Sequence, residues 1–200
     1  MYIGDVKSKT FLDTNASSAT FVAAAARPTS TFTLANSSFG TNTARKITAT
    51  TAGTSDNGKT VTIVGTDHNG DAATEVITLT GSAETSSGTT TAFLTITSAT
   101  VSAQPADNVS LGMTADVFGS VFQGRTRVRQ VNAESGGSIG SVFFRDGSLT
   151  GTALLTVRTG ATAGDVNTVN IPQDGILYKD GAFVTFDETQ CNSATVYFDG

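Results

Sequence analysis

The 200-residue chain has no tryptophan, one cysteine, one histidine and three prolines, and only 14% of its residues are charged. Each scarcity excludes something. Cys191 is alone, so no intrachain disulfide can form and folding does not call for an oxidising compartment. A nucleophilic thiol needs a base beside it, and the sole histidine, His68, stands far away in a turn-rich stretch. Cys191 therefore reads as a small buried or incidental side chain. Serine–histidine–aspartate catalysis would rest on the same lone His68, and no G-x-S-x-G elbow is present. With no tryptophan and three tyrosines, the chain offers little for a sugar-stacking cleft. Gly136-Gly137 precedes a strand rather than a helix, so it is no phosphate loop. An enzyme is the least favoured class, and no cofactor is expected.

Electrostatics narrow the partners. A net charge of −5 and a pI near 4.7 give no basis for binding nucleic acid. No apolar run is long enough to span a bilayer, and the opening MYIGDVKSKTFLDTNASS has no apolar core after its lysines. Synthesis and folding in a cytoplasm, or in a compartment reached by assembly rather than by secretion, are expected, with no membrane partner. The one basic cluster, Arg125, Arg127 and Arg129, points to one side of a strand. It reads as a solvated or salt-bridged face, or as a docking stripe for an acidic protein partner.

What the chain has in plenty is hydroxyl-bearing β-structure. Thr60–Thr80, TVTIVGTDHNGDAATEVITLT, sets two runs of β-formers around a turn-rich centre. Val61 and Ile63 fall on one side of the first run, and Ile77 and Leu79 on one side of the return, which predicts a hairpin of half-buried strands. The same alternation predicts further strands over Thr31–Leu34, Arg45–Thr50, Phe93–Thr100 and Asn108–Gly112, with a seam at Thr114–Gly119. A second set follows over Arg125–Val131, Ser138–Phe144, Ala153–Val157, Thr168–Ile171, Gly175–Tyr178, Ala182–Phe186 and Thr195–Phe198. Asp-Gly in Arg145–Gly147 and in Lys179–Gly181 is the strongest short hairpin signal. Residues 1–30 are the least regular: Ala16–Arg27 has the composition of a short helix ending before Pro28, or the whole stretch is an arm lying along a neighbouring subunit. The expected fold is all-β: an irregular N-terminal arm over 1–30, then two antiparallel sandwiches of Ig-like or jelly-roll character over 31–115 and 116–200.

Charge at 14% is well below the roughly 25% usual for globular domains. Such a surface suits a protein whose faces lie against neighbours, where unpaired charges are costly to desolvate. Asp67-His-Asn-Gly-Asp71 places oxygens at positions 1, 3 and 5 as a calcium loop does, but Ala72 and Thr78 occupy the positions that need glycine and glutamate. A hairpin turn is the better reading, with no metal site assigned, and a weak calcium site completed by other loops is the alternative.

The segments RKITATTAG, GKTVTIVGTDHNGDAATEVITLTG and TTTAFLTITSATVSAQPADNVSLG, over the middle third, resemble a pattern in virion structural proteins of tailed bacteriophages. The final IPQDGILYKDGAFVTF…ATVYF is similar in style to C-terminal sandwiches of such proteins. In that setting Thr66, Asp67, Gly70 and Glu75 are turn- and sheet-defining positions rather than chemistry. The resemblance implies a small all-β particle component, with capsid decoration or cement a common role; a tail or head–tail connector part, or a receptor- or glycan-binding virion protein, are the alternatives. Partners implied are the major capsid protein and further copies of the chain, as a homo-oligomer with a trimer favoured. Contact residues expected on this reading are Tyr2, Phe11 and Phe21 of the arm and the stripe Arg125, Arg127 and Arg129.

Overall fold

Alternation of threonine with Val, Ile and Phe produces strands along nearly the whole chain, because branched side chains pack well on a pleated surface. The computed structural model describes residues 5–13, 15–51, 53–80, 86–172 and 174–200. The strands are β1 (Lys7–Leu12), β2 (Ala23–Ala26), β3 (Ala44–Thr51), β4 (Thr60–Asp67), β5 (Ala72–Thr78), β6 (Ser86–Val101) and β7 (Val109–Phe122). They continue with β8 (Thr126–Ser135), β9 (Ser141–Asp146), β10 (Ala153–Arg158), β11 (Val166–Asn170), β12 (Ile176–Tyr178), β13 (Ala182–Asp187) and β14 (Cys191–Asp199). Among the described residues the only helical turn is a short 3-10 piece, Thr54–Asp56. The protein is all-β, with antiparallel pairing in sheets of five and nine strands.

The chain divides into two compact units. One comprises Met1–Ala16, Gly40–Thr43 and Asp116–Gly200; the other comprises Ser17–Phe39 and Ala44–Ala115. In the first, β14 lies between β1 and β8, and both β11 and β12 pair with β8. The remaining strands run β10–β9–β13–β7, with β7 entering this unit at Asp116. Phe11, Val128, Val131, Val196 and Phe198 meet Val117, Val142, Phe144 and Val184 in one apolar core, as inward residues of a sandwich do. At Gly119 a Cβ would fall on the Phe11 ring, so the absence of a side chain is what lets that ring reach the core. The edge of β1 is closed by its own unit: Leu12 exchanges backbone bonds with Thr41, and Asn42 Nδ2 donates to Thr10 O at 2.8 Å.

In the second unit the order is β2–β7–β3–β6–β4–β5. Val61 and Ile63 of β4 and Ile77 of β5 are buried, as the period-2 pattern requires, with Ile47, Phe93, Ile96 and Leu111 in the same core. Glu75 of β5 reaches the first half of β6. Its carboxylate accepts from Thr90 N at 2.6 Å and Thr91 N at 2.8 Å, occupying backbone donors that no neighbouring strand takes up at that point.

Several expectations need correction. The stretch read as an arm is built into the fold: β1 pairs with β14 over all six of its residues, and Phe11 is 0% exposed. Only one inward apolar residue marks that strand, which is why its spacing looked irregular. Ala16–Arg27 holds no helix; Ala23–Ala26 is a strand on β7, where sheet pairing overrides alanine's helical preference. Thr31–Leu34 makes only an isolated bridge, Thr31 to Thr100. The two units divide at Ala115–Asp116, within the expected seam Thr114–Gly119, but β7 runs through that point as a single 14-residue strand rather than a linker. Lys179–Gly181 does not close a hairpin, since β12 pairs with β8 whereas β13 pairs with β7 and β9.

Candidate functional site

The Asp67–Asp71 loop is a self-contained turn. Asp67 Oδ1 accepts from the backbone N–H of Asn69 at 2.8 Å and of Asp71 at 3.0 Å, while Asp67 and Asp71 also pair through their backbones. Gly70 has φ +89°, open to glycine and strained for other residues. The oxygen that a cation would need is thus already occupied by the turn's amides. Burial lowers the pKa of His68 against the opposing charges of Asp67 and Asp71, so its ring is neutral at pH 7.

The arginine stripe straddles the start of β8. Arg125 is exposed, and Arg127 and Arg129 alternate with buried Thr126 and Val128. Arg129 forms an ion pair with Asp199, Nε to Oδ2 at 2.6 Å, and Arg127 donates to Asp174 O at 3.1 Å. Two of the three guanidinium groups therefore have contacts within their own unit. Of the N-terminal contact residues, Tyr2 lies outside the described residues. Phe11 is core, and Phe21 is half-buried with its ring 5.9 Å from that of Phe39.

Buried polar groups are structural. Cys191 Sγ donates to Ser193 O, and burial pushes its thiol up to about 12, which leaves it protonated and inert at neutral pH. Arg45 is fully buried and donates Nη1 to Thr114 O and Ala115 O, both at 2.7 Å. Asp56, also fully buried, accepts from Ala106 N at 2.6 Å, Asp107 N at 2.9 Å and Lys59 Nζ at 2.8 Å. Burial raises its pKa, but these hydrogen bonds to the charged form prevail and the net shift is downward. Among the described residues no group of three or more His, Cys, Asp or Glu side chains is placed to hold a metal ion.

A groove of about 390 Å³ lies on the first unit, within the size range of ligand pockets. Its floor comes from three adjacent strands in register: Thr185 of β13 pairs with Phe143 of β9 on one side and Phe118 of β7 on the other. The sequence neighbours Val142, Phe144, Val184 and Val117 point into the core, so these three belong to the opposite face of the sheet. Arg145 stacks over Phe143, its guanidinium 5.1 Å from the ring centre, and donates to Gly151 O at 3.0 Å and Thr185 Oγ1 at 3.4 Å. Asp116, Ser141, Asp187 and Gln190 line the rest. None of these residues was singled out from sequence. The available signal was paired aromatics entering after residue 115, but which rings share a row depends on strand order and register.

No protein-family model matches the chain, and neither a curated protein nor a solved structure matches it.

Proposed function

We propose that the chain is a non-enzymatic structural component of a tailed-phage particle, a capsid cement or decoration protein that binds the outer capsid lattice and stabilises it. Its partners are the major capsid protein and other copies of itself, as a trimer. It is made in the host cytoplasm and acts in the virion.

The observation that carries this reading is where exposed apolar side chains fall. Of the six large apolar side chains exposed among the described residues, four stand on the last strand of a sheet, Leu12 on β1, Val76 (54% exposed) on β5, Leu154 (40%) on β10 and Val166 (60%) on β11, while Val6 and Ile139 lie outside strands. Singly, such residues are ordinary on a surface. On sheet edges they invite pairing unless neighbours cover them, and a particle lattice supplies neighbours. The low charge content lets such faces be desolvated cheaply. The likeness of the middle third to tailed-phage virion proteins supports the same class. A subunit that binds only the assembled shell stabilises it by mass action, with no catalytic step.

The test is antibody labelling of particles released by cells that make this chain, viewed by electron microscopy. Label on the outer face of heads is expected. Label confined to tails, or to no particle at all, overturns the proposal.

A further inference from the structure

The groove on the first unit has a chemistry of its own, independent of the particle reading. Arg145 uses Nε and Nη1 on Thr185 and Gly151, and Asp187 Oδ1 accepts from Thr189 N at 2.8 Å and Oγ1 at 2.5 Å. Gln190 Oε1 accepts from Ser141 N at 3.3 Å. The other polar atoms, Arg145 Nη2, Gln190 Nε2, Asp187 Oδ2 and both Asp116 oxygens, form no hydrogen bond to a described residue. Donors and acceptors thus surround two phenyl rings, which stand about 10 Å apart on either side of Thr185, two strand spacings.

Ligand classes can be sorted by what they leave unsatisfied. A purely apolar ligand would desolvate two carboxylates and a guanidinium without pairing them. A polyanion would face Asp116 and Asp187, and a cationic side chain would face Arg145. A neutral sugar fits all of them. Its adjacent hydroxyls donate to carboxylates and accept from guanidinium and amide groups, while its C–H face lies against a phenyl ring. We infer that this groove is a binding site for a neutral oligosaccharide, with the half-buried Phe143 as its apolar contact, the largely buried Phe118 in its floor, and Arg145, Asp116, Asp187 and Gln190 as the hydrogen-bonding set. Phenylalanines on the two strands that flank β13 thereby supply what the lack of tryptophan argued against.

The test is a glycan array probed with the purified full chain, followed by calorimetric titration with a neutral oligosaccharide that binds. Asp116→Asn sits on an exposed residue and keeps its shape; Phe143→Ala removes one ring. Saturable binding of a neutral glycan is expected, weakened at least tenfold in each variant while thermal melting of Asp116→Asn is unchanged. If Phe143→Ala fails to fold, Asp116→Asn alone decides. The inference is overturned if no neutral glycan binds, if only sulfated glycans or cationic peptides bind, or if Asp116→Asn binds as tightly as the parent.

Discussion

Phe11 separates two pictures of the N-terminus by a measurable energy. If residues 7–12 were a loose arm, replacing this ring would leave the isolated protein's stability unchanged. Because the ring is 0% exposed against Gly119 and the core of its unit, Phe11→Ala removes a whole buried aromatic. A loss of about 3–5 kcal/mol is expected by denaturant unfolding, in line with other buried Phe-to-Ala changes. Asp56 makes a second test at this scale, through pH. Its folded-state pKa lies below the ordinary value near 3.8, so the carboxylate's contribution is present above that value and fades as pH falls through the lowered one. Glu75 shifts in the same direction: burial raises its pKa, but the hydrogen bonds from Thr90 and Thr91 outweigh that. Acid unfolding that sets in below about pH 4 is expected, with a shallower pH dependence in Asp56→Asn. Melting temperatures across pH 2–7 check it; identical profiles for parent and variant would remove Asp56 from the account.

At the scale of elements, the β4–β5 hairpin was legible because everything that defines it is local. Val61 and Ile63 alternate with threonine, Asn69-Gly70 supplies the turn, and Ile77 and Leu79 return to the same core. Strands β3, β9, β10 and β13 could be read for the same reason, to within a few residues. What stayed hidden depends on partners distant in sequence. A four-alanine strand is recognisable only beside β7, and the Asp-Gly after Lys179 looks like a hairpin until its flanking strands are seen to pair elsewhere. The groove was illegible on the same ground, since its floor is one row across three strands. Glu75 is a further case, a side chain acting as the acceptor a missing strand would provide. Glu75→Ala leaves two backbone amides of β6 without that carboxylate, and because water can reach them a loss of about 0.5–1.5 kcal/mol is expected. Hydrogen exchange at Thr90 and Thr91 should accelerate more than exchange across β4. Unchanged protection at both amides would show the contact to be incidental.

For the molecule as a whole, the proposed assembly turns on which kind of surface would hold the chain to its neighbours. Two readings differ in their response to salt. If the arginine stripe docks onto acidic partners, association weakens steeply with ionic strength, as the screening length falls from about 10 Å at 0.1 M to about 3 Å at 1 M. If uncharged, hydroxyl-rich faces and the edge residues Val76, Leu154 and Val166 make the contacts, salt matters little and sulfate strengthens them through its exclusion from the surface. Arg129 is already paired with Asp199 and Arg127 with Asp174 O, which leaves Arg125 as the exposed member of the stripe. The second reading is therefore the expected one. Light scattering behind a sizing column should give a trimer at low salt, the same trimer at about 1 M sodium chloride, and a trimer persisting to lower concentration in sulfate. Dissociation at high chloride would instead assign the interface to the arginines, and Arg125→Ala would then reproduce it at low salt.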